Sequence, residues 1–458
     1  MLALLQKEEI AAMRTTPKDD ARWLFARVME SVNVPVSMRA AFQLQGIELR
    51  IGFHHIDLRL FERAMLVAIG KAAVPMAQHA FETLEGALPL TGLVVGPGQW
   101  RAPAPLRYMQ GDHPVPYMRS LAAAQALLRL TEEADADTLV LYLISGGASA
   151  LAEAPLDSSI SLDDMSAFYE RLLHSGLPIE KTNALRKHFS AIKGGRLALS
   201  AGAASRCTLL ISDVPPGRLD VVGSGPSLAD RSMVAECLEL LTETDRLLPL
   251  PVAMRTFAAN LPETPKQLPE GRLRSICVSL LSSDSLIEAA EALLTARGYR
   301  VVIDNTCDDW DYRDAAAYLV GRALQEPVGS MPLCILSAGE VTVSIDGKAG
   351  TGGRNQQWVL EVARLIRGTT DCVAMSVGSD GIDGNSPAAG AVVDGTTWQR
   401  AKDAGMDPQH ALDTFDAYPV FLALQDVIAP GPSGNNIRDL RAIFVSAKLS
   451  VSPKGSML

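Results

Sequence analysis

The segment SAGEVTVSIDGKAGTGGRNQQWVLEVARLI, Ser337–Ile366, places a guanidinium beside a glycine-rich turn. After a strand-like start come glycines 347, 350, 352 and 353, then Arg354 and an amphipathic helical pattern. Backbone N–H groups in such a turn can bind phosphate oxygens, and the helix start adds its positive dipole end. The segment therefore predicts an anion site in which Gly352, Gly353 and Asn355 contact phosphate. A surface hairpin followed by a helix would explain the glycines alone.

A second glycine turn, SGGAS, follows the apolar run DTLVLYLI. It offers closely spaced N–H groups and two hydroxyls, a combination that binds phosphate oxygens. We assign phosphate binding to Ser145, Gly146, Gly147 and Ser149. A tight strand-to-helix turn would use the same residues without binding anything.

Several carboxylates stand where apolar runs end. Asp213 follows one run, and Asp380 and Asp383 lie three residues apart in the glycine turn GSDGIDG. Such carboxylates suit a hydrated divalent ion or a general base, although Asx turns use the same residues. We assign Asp380 to catalysis and Asp213, Glu340 and Asp383 to a metal ion.

The segment NALRKHFSAIKGGRLA carries five basic side chains within eleven residues. A charge run of this kind is usually a solvated helix face. The nearby glycines favour anion binding instead, so we predict that Arg186, Lys187 and Lys193 bind the substrate. His188 is interpreted as a hydrogen-bonded structural histidine.

These residues need a scaffold that brings strand ends together. Short apolar runs such as Met65–Ile69, TGLVVG, LVLYLI and CTLLI alternate with helical segments, which is typical of buried parallel strands joined by crossover helices. Open parallel sheets bind ligands beyond the carboxyl ends of their strands. The polar and glycine residues singled out above stand at those ends.

The chain divides into two predicted α/β domains. Five prolines between Pro249 and Pro269 suggest a linker at 247–270. Residues 1–246 would form a Rossmann-like open parallel sheet with helices on both faces. Residues 271–458 would form a smaller α/β domain with helices Ser285–Arg297 and Gln356–Arg367. The alternation of Glu340–Asp346 predicts a partly exposed strand there, and hence a mixed sheet.

Composition narrows the class of protein. The 458 residues include 52 acidic and 42 basic side chains, a net charge of -10 that argues against nucleic-acid or anionic-membrane partners. Six scattered cysteines show no CxxC spacing and suit reduced thiols. The N-terminus becomes charged too early for a signal peptide, and no uncharged apolar run reaches spanning length. We expect a cytoplasmic enzyme, monomeric or homodimeric.

Taken together, the loops resemble those of the class II glycerate kinases, the glycerate 2-kinase family with a leucine-rich C-terminal domain. The matching stretches keep the family's order along nearly the whole chain: AIGKAAVPMA, GDHPVP, SGGASALAEAP, LRKHFSAIKGGRLA, ISDVPPGRLDVVGSGPS, SAGEVTVSIDGKAGTGGRNQ, VGSDGIDGNSPAAGAVVDG and GPSGNNIRDL.

The resemblance implies ATP-dependent phosphorylation of D-glycerate, usually at the 2-hydroxyl, with Mg²⁺. It also implies an active site in the cleft between two α/β domains and places the catalytic cations at Lys71 and Arg354. This sequence departs from the family pattern at Tyr117, Pro216 and Pro387, where acidic residues are common.

Two other functions compete with a kinase. A hydroxypyruvate reductase needs a nicotinamide site, but the chain lacks the GxGxxG dinucleotide fingerprint, as it also lacks the Walker sequence. A glycerate-binding protein without activity would agree with the lost acidic residues. Retention of Lys71, Arg354 and the glycine turns favours the kinase.

Overall fold

The computed structural model describes residues 16–215, 217–247, 250–327, 329–345 and 347–447. The chain forms two compact units, one of Val34–Leu281 and one that combines Met1–Asn33 with Ser282–Leu458. Each unit has its own six-stranded sheet, parallel in the first and mixed in the second. The predicted two-domain α/β fold class is therefore confirmed.

Helix α1 (Pro17–Ser31) belongs to the unit formed mainly by the C-terminal half of the chain. Its buried residues recur at helical spacing and form one apolar face: Ala21, Leu24, Phe25 and Val28. An ion pair of 2.6 Å between Asp20 and Arg297 ties the helix to that unit. The observed division thus departs from the predicted domain 1–246, because sequence order does not show which core an amphipathic helix covers.

The unit of residues 34–281 is built on a parallel sheet of order β6-β5-β4-β7-β8-β9. Its strands are β4 (Arg63–Ile69), β5 (Leu90–Gly96), β6 (Leu106–Gln110), β7 (Thr138–Ile144), β8 (Ser205–Ile211) and β9 (Ile276–Leu281). Its helices are α2 (Val34–Ala41), α3 (Ala73–Leu84), α4 (Met118–Glu132), α5 (Ala148–Leu151), α6 (Leu162–His174), α7 (Ile179–Phe189), α8 (Arg196–Ser200), α9 (Val234–Leu247) and α10 (Val252–Ala258). Strands β4, β7 and β8 are fully or almost fully buried, as their continuous apolar runs predict.

A small antiparallel sheet precedes β4 and was not predicted. It consists of β1 (Phe42–Gln45), β2 (Glu48–Ile51) and β3 (His54–Asp57). Gly46 and Gly52, both at positive φ, form the turns between these strands. Two glycines set between four-residue segments were the available signal for a meander.

The proline-rich stretch is a packed part of the N-terminal unit, contrary to the linker interpretation. Leu250, Met254 and Leu261 are buried in a hydrophobic cluster with Phe168 and Phe189. Beyond this stretch, β9 pairs in parallel with β8, so residues 276–281 complete the first sheet. A proline-rich sequence can belong to a packed segment or to a linker, and only the tertiary contacts of its apolar side chains distinguish the two.

The second unit contains a mixed sheet of order β10-β11-β15-β12-β13-β14. Its strands are β10 (Arg300–Ile303), β11 (Leu333–Gly339), β12 (Cys372–Gly378), β13 (Gly390–Asp394), β14 (Val427–Ile428) and β15 (Asp439–Val445). Its helices after α1 are α11 (Ser283–Ala296), α12 (Tyr312–Gln325), α13 (Arg354–Leu365), α14 (Thr397–Asp403), α15 (Pro408–Asp413) and α16 (Ala417–Leu424). β15, the last strand in sequence, lies antiparallel between β11 and β12 at the centre of the sheet.

The predicted strand Glu340–Asp346 is wrong as far as the structure describes it. Residues 340–345 are irregular and make one isolated bridge, Thr342 with Asp311, while Asp346 lies outside the described residues. The six cysteines are unpaired, and all except Cys277 are buried. Within the described ranges, no helix is both long enough and apolar enough to cross a membrane.

Candidate active site

The predicted residues of the first unit gather at the carboxyl ends of neighbouring strands. Lys71 follows β4, Ser145 follows β7, and these strands are adjacent in the sheet. The Lys71 N–H donates to the carbonyl of Gly146 at 2.9 Å, and the Ala72 N–H donates to Ser145 Oγ at 3.0 Å. These bonds hold Lys71 against the SGGAS turn, as the carboxyl-end rule predicts.

Steric contact explains why the turn contains glycines. A Cβ on Gly146 would lie 2.5 Å from Asp213 Oδ2, at the end of β8. A Cβ on Gly147, whose φ is +83°, would lie 3.2 Å from Lys71 Cγ. The turn therefore has the Asp213 carboxylate on one side and the Lys71 side chain on the other.

His113 joins this group and was missed as a site residue, although it lies in the quoted stretch GDHPVP. Its imidazole would be 3.4 Å from a Cβ on Gly147, beside Lys71. Burial and the Lys71 charge lower the pKa of His113, so the neutral ring is favoured near pH 7. Lys71 itself is exposed, and within the described ranges its ammonium makes no ion pair.

Ser149 faces a hydroxyl network. Its Oγ lies 2.7 Å from Ser224 Oγ, which donates to Asn183 Oδ1 at 3.0 Å. The side chain is half-buried. A hydroxyl in such a hydrogen-bond network can still accept a further bond. The predicted contact of Ser149 with phosphate is therefore compatible with the network and stays a prediction.

Two of the three predicted substrate-binding cations are already neutralised. Lys187 pairs with Asp230 at 2.7 Å and lines a cavity of about 650 Å³. Lys193 pairs with Glu153 at 2.5 Å and is 1% exposed; burial lowers the pKa of this lysine. Each ammonium group is paired with a buried carboxylate, which favours a structural role for both lysines.

In the second unit, Arg354 is the first residue of α13 and lies between two carboxylates. Its Nε donates to Asp439 at 2.6 Å, and its terminal nitrogen lies 2.7 Å from Glu340. Burial acts to lower the pKa of Arg354, but Asp439 and Glu340 raise it overall. The guanidinium is thus held in a fixed orientation with about a third of its side chain, 36%, exposed.

Asp383 caps α13, which differs from its predicted role as a metal ligand. Its carboxylate accepts the N–H groups of Asn355 at 3.0 Å and Gln356 at 2.8 Å. Burial raises the pKa of Asp383 to about 6, although these donors act in the opposite direction. The Asn355 N–H, which was predicted to contact phosphate, is therefore already bound by protein.

The glycine turn before α13 is partly satisfied in the same way. Gly350 donates to the Thr414 carbonyl at 3.0 Å, and Gly352 donates to Asn385 Oδ1 at 2.8 Å. Among the described residues, the N–H groups of Gly353 and Arg354 make no hydrogen bond. A cavity of about 460 Å³ lies here, and its lining includes Gly352, Gly353, Arg354, Asp380 and Asp383.

The predicted metal ligands are divided between the two units. Asp213 belongs to the unit of residues 34–281, whereas Glu340 and Asp383 belong to the other unit. Within the part of the chain that the structure describes, no three His, Cys, Asp or Glu residues are grouped to hold a metal ion.

Comparison with known proteins shows which families and solved structures the chain is similar to. Residues 20–258 match a family described as "Domain of unknown function (DUF4147)", and residues 333–439 match the MOFRL family. D-glycerate 2-kinase of Thermotoga maritima is 32% identical over 390 residues, covering 83% of this chain and 90% of that protein. A protein of Agrobacterium vitis named putative hydroxypyruvate reductase is 34% identical over 391 residues, covering 84% and 87%. The crystal structure of glycerate kinase from Thermotoga maritima superimposes with a TM-score of 0.80 at 29% identity, covering 94% of this chain and 99% of that one.

Proposed function

The chain belongs to the glycerate 2-kinase family, and we propose that it transfers the γ-phosphoryl group of ATP to the 2-hydroxyl of D-glycerate. The observation that carries the proposal is the exposed Lys71 ammonium, held beside the Ser145–Gly147 turn at the carboxyl ends of β4 and β7. Phosphoryl transfer needs positioning and cations around a spreading negative charge, and little covalent chemistry from the protein. The Lys71 ammonium supplies a cation, and the glycine turn beside it supplies backbone groups that can position the phosphate.

We assign Lys71 and Arg354 to the charge that develops on the transferred group. Lys71 acts as a mobile point charge on a flexible stem, and Arg354 as a planar fork pre-oriented by Asp439 and Glu340. Because Arg354 is fixed before any ligand arrives, it needs little reorganisation during the reaction. The N–H groups of Gly353 and Arg354 are the donors in this turn that remain for phosphate oxygens.

Asp380 is the proposed base for the proton of the attacking hydroxyl. It is half-buried in the lining of the 460 Å³ cavity, and its Oδ1 accepts the Ile382 N–H at 3.1 Å. This bond fixes the orientation of the Asp380 carboxylate. A positioned carboxylate can accept a proton as the hydroxyl oxygen attacks phosphorus.

The proposal includes Mg²⁺, which neutralises phosphate charge when bound with the nucleotide. Mg²⁺ usually takes one or two protein carboxylates and completes its octahedron with water and phosphate oxygens. Asp213 is kept as a proposed ligand, whereas Asp383 suits that limited demand poorly because its oxygens accept the N–H groups of α13. Glu340 keeps its contact with Arg354 in the same scheme.

A cytoplasmic location is part of the proposal. It is supported by the six unpaired cysteines, because disulfides are rare in reducing compartments. D-glycerate and ATP are then the expected partners of the chain.

The first prediction tests the reaction itself. Purified protein supplied with ATP, Mg²⁺ and D-glycerate is expected to release ADP and form phosphoglycerate, and phosphorus NMR should identify the 2-isomer. The same preparation is tested with hydroxypyruvate and NADH, because two relatives carry the reductase name. NADH oxidation without ADP formation would overturn the proposal.

The second prediction concerns the SGGAS turn. Gly147→Val should lower kcat/KM by about 10²-fold or more, because the new Cβ displaces Lys71 by contact, and small misplacements of catalytic groups have effects of this size. Gly176→Val is the matched control: its φ of +67° gives similar backbone strain, but a Cβ there meets nothing within 4 Å. Equal losses in the two variants, or unchanged kinetics in a folded Gly147→Val protein, would contradict a role for the turn.

A further inference from the structure

Arg186 is a buried cation of the first unit whose guanidinium makes no hydrogen bond within the described ranges. It is 8% exposed, and its Nε is buried without a hydrogen-bond partner among the described residues. Its guanidinium stacks on the ring of Tyr169, with Cζ 4.8 Å from the ring centroid. In the described part of the chain, no carboxylate forms an ion pair with it. A buried charge without a counter-ion is costly, so this arrangement calls for an explanation.

The carboxylate that binds the Tyr169 hydroxyl has no capacity left. Glu153 is fully buried and accepts from Ser190 Oγ at 2.5 Å, from the Ala154 N–H at 2.9 Å, and from the Tyr169 hydroxyl. Lys193 takes the remaining place at 2.5 Å. A carboxylate has about four acceptor positions, and all of them are used. Glu153 therefore balances the charge of Lys193, and the charge of Arg186 on the Tyr169 ring is left in excess.

Two connections place Arg186 beside the SGGAS turn. The hydroxyl of Tyr169, on which Arg186 stacks, lies 3.3 Å from the carbonyl of Ser149. Asn183 stands three residues before Arg186 in α7, on the same helix face, and is linked through Ser224 to Ser149 Oγ. The excess charge therefore lies next to the turn to which the proposed function assigns phosphate contacts.

We propose that Arg186 binds the carboxylate of the hydroxy-acid substrate, with Tyr169 and the Glu153–Lys193 pair holding the guanidinium in place. A carboxylate matches the single excess charge, and the planar guanidinium can donate two parallel hydrogen bonds to it. Lys187 and Lys193 are then structural cations, and Arg186 alone of the three is left for an anion. The inference rests on the proposed function for the identity of the acid.

The test compares wild type with Arg186→Met, which keeps much of the side-chain volume and removes the charge. D-glycerate is titrated by calorimetry without nucleotide, and steady-state kinetics are measured for both substrates. We expect the Kd and KM for D-glycerate to rise about 10²-fold, as loss of a charge-assisted pair does, and the KM for ATP to change less than about threefold. A rise in the KM for ATP with unchanged glycerate binding would assign Arg186 to nucleotide phosphate and overturn the inference.

Stability separates a ligand-binding arginine from a structural one. Without ligand, Arg186→Met should melt no lower than wild type, because the substitution removes an uncompensated buried charge. Arg206→Met is the matched control: Arg206 is 2% exposed and its Nε is likewise buried without a partner among the described residues, but its terminal nitrogens donate to the carbonyls of Gly202 and Pro269. We expect this control to melt lower and to keep its affinity for glycerate. A melting temperature of Arg186→Met that falls as far as the control's, with unchanged glycerate affinity, would make Arg186 structural.

Failure of the proposed reaction is distinguishable from failure of this site. Lactate and inorganic phosphate are titrated against both proteins as probes that need no turnover. Arg186-dependent binding of lactate without formation of phosphoglycerate would support the site and contradict the kinase. Turnover of glycerate with equal affinity in wild type and Arg186→Met would support the kinase and contradict the site.

Discussion

Replacing Arg354 with alanine is expected to lower kcat by about 10³–10⁵-fold, the range found when an arginine that stabilises the charge of phosphoryl transfer is removed. The structural basis is its fixed position between Asp439 and Glu340 at the edge of the 460 Å³ cavity. Arg354→Lys should recover little of the loss, because an ammonium cannot reproduce the planar fork. The measurement is kcat from coupled ADP release at saturating ATP and glycerate.

Folding must be checked in the Arg354 variants, because alanine leaves the buried Asp439 carboxylate without its partner. Arg364→Ala is the matched control, since Arg364 lies on the same helix, pairs with Glu361 at 2.5 Å and is 38% exposed, against 36% for Arg354. We expect the control to keep wild-type kcat. Full activity in a folded Arg354→Ala protein would defeat the catalytic assignment.

Replacing Lys71 with alanine is expected to lower kcat by several orders of magnitude, about as much as loss of Arg354, if it balances charge on the same phosphoryl group. The result should be simple to interpret, because Lys71 is exposed and its ammonium makes no ion pair within the described ranges. Its removal should therefore leave the melting temperature unchanged. Lys402→Ala, at another exposed lysine on α14, is the control for loss of one positive charge.

The double variant of Lys71 and Arg354 tests whether both cations serve one step. Residues that act as a unit are strongly non-additive, so the double variant should be far less than multiplicatively worse than either single variant. Fully multiplicative losses would indicate separate roles. A Lys71→Ala enzyme with wild-type kcat would remove this lysine from the mechanism altogether.

The sequence determined the buried strands of the first sheet and the first group of site residues. Continuous apolar runs require burial on both faces, so β4, β7 and β8 were predictable as parallel strands, and the residues after them had to meet at one sheet edge. Lys71, Ser145 and Gly146 lie there as predicted. The signal was strong because a continuous apolar run followed by glycine and polar residues can be recognised within a short stretch of sequence.

Only the tertiary structure decided which charges are already satisfied. Asp439 lies 85 residues from Arg354 and Glu153 lies 40 from Lys193, and no local pattern announces either pair. Asp383 was predicted as a metal ligand from its glycine turn. In the fold its carboxylate accepts the N–H of Gln356 at the start of α13, although the two residues are 27 positions apart in sequence. Charge compensation depends on distance in space and on burial, which neighbouring residues do not specify. For the same reason, the sequence did not show that α1 packs in the C-terminal unit. Nor did it show that Arg186 is buried without an ion pair to a carboxylate among the described residues.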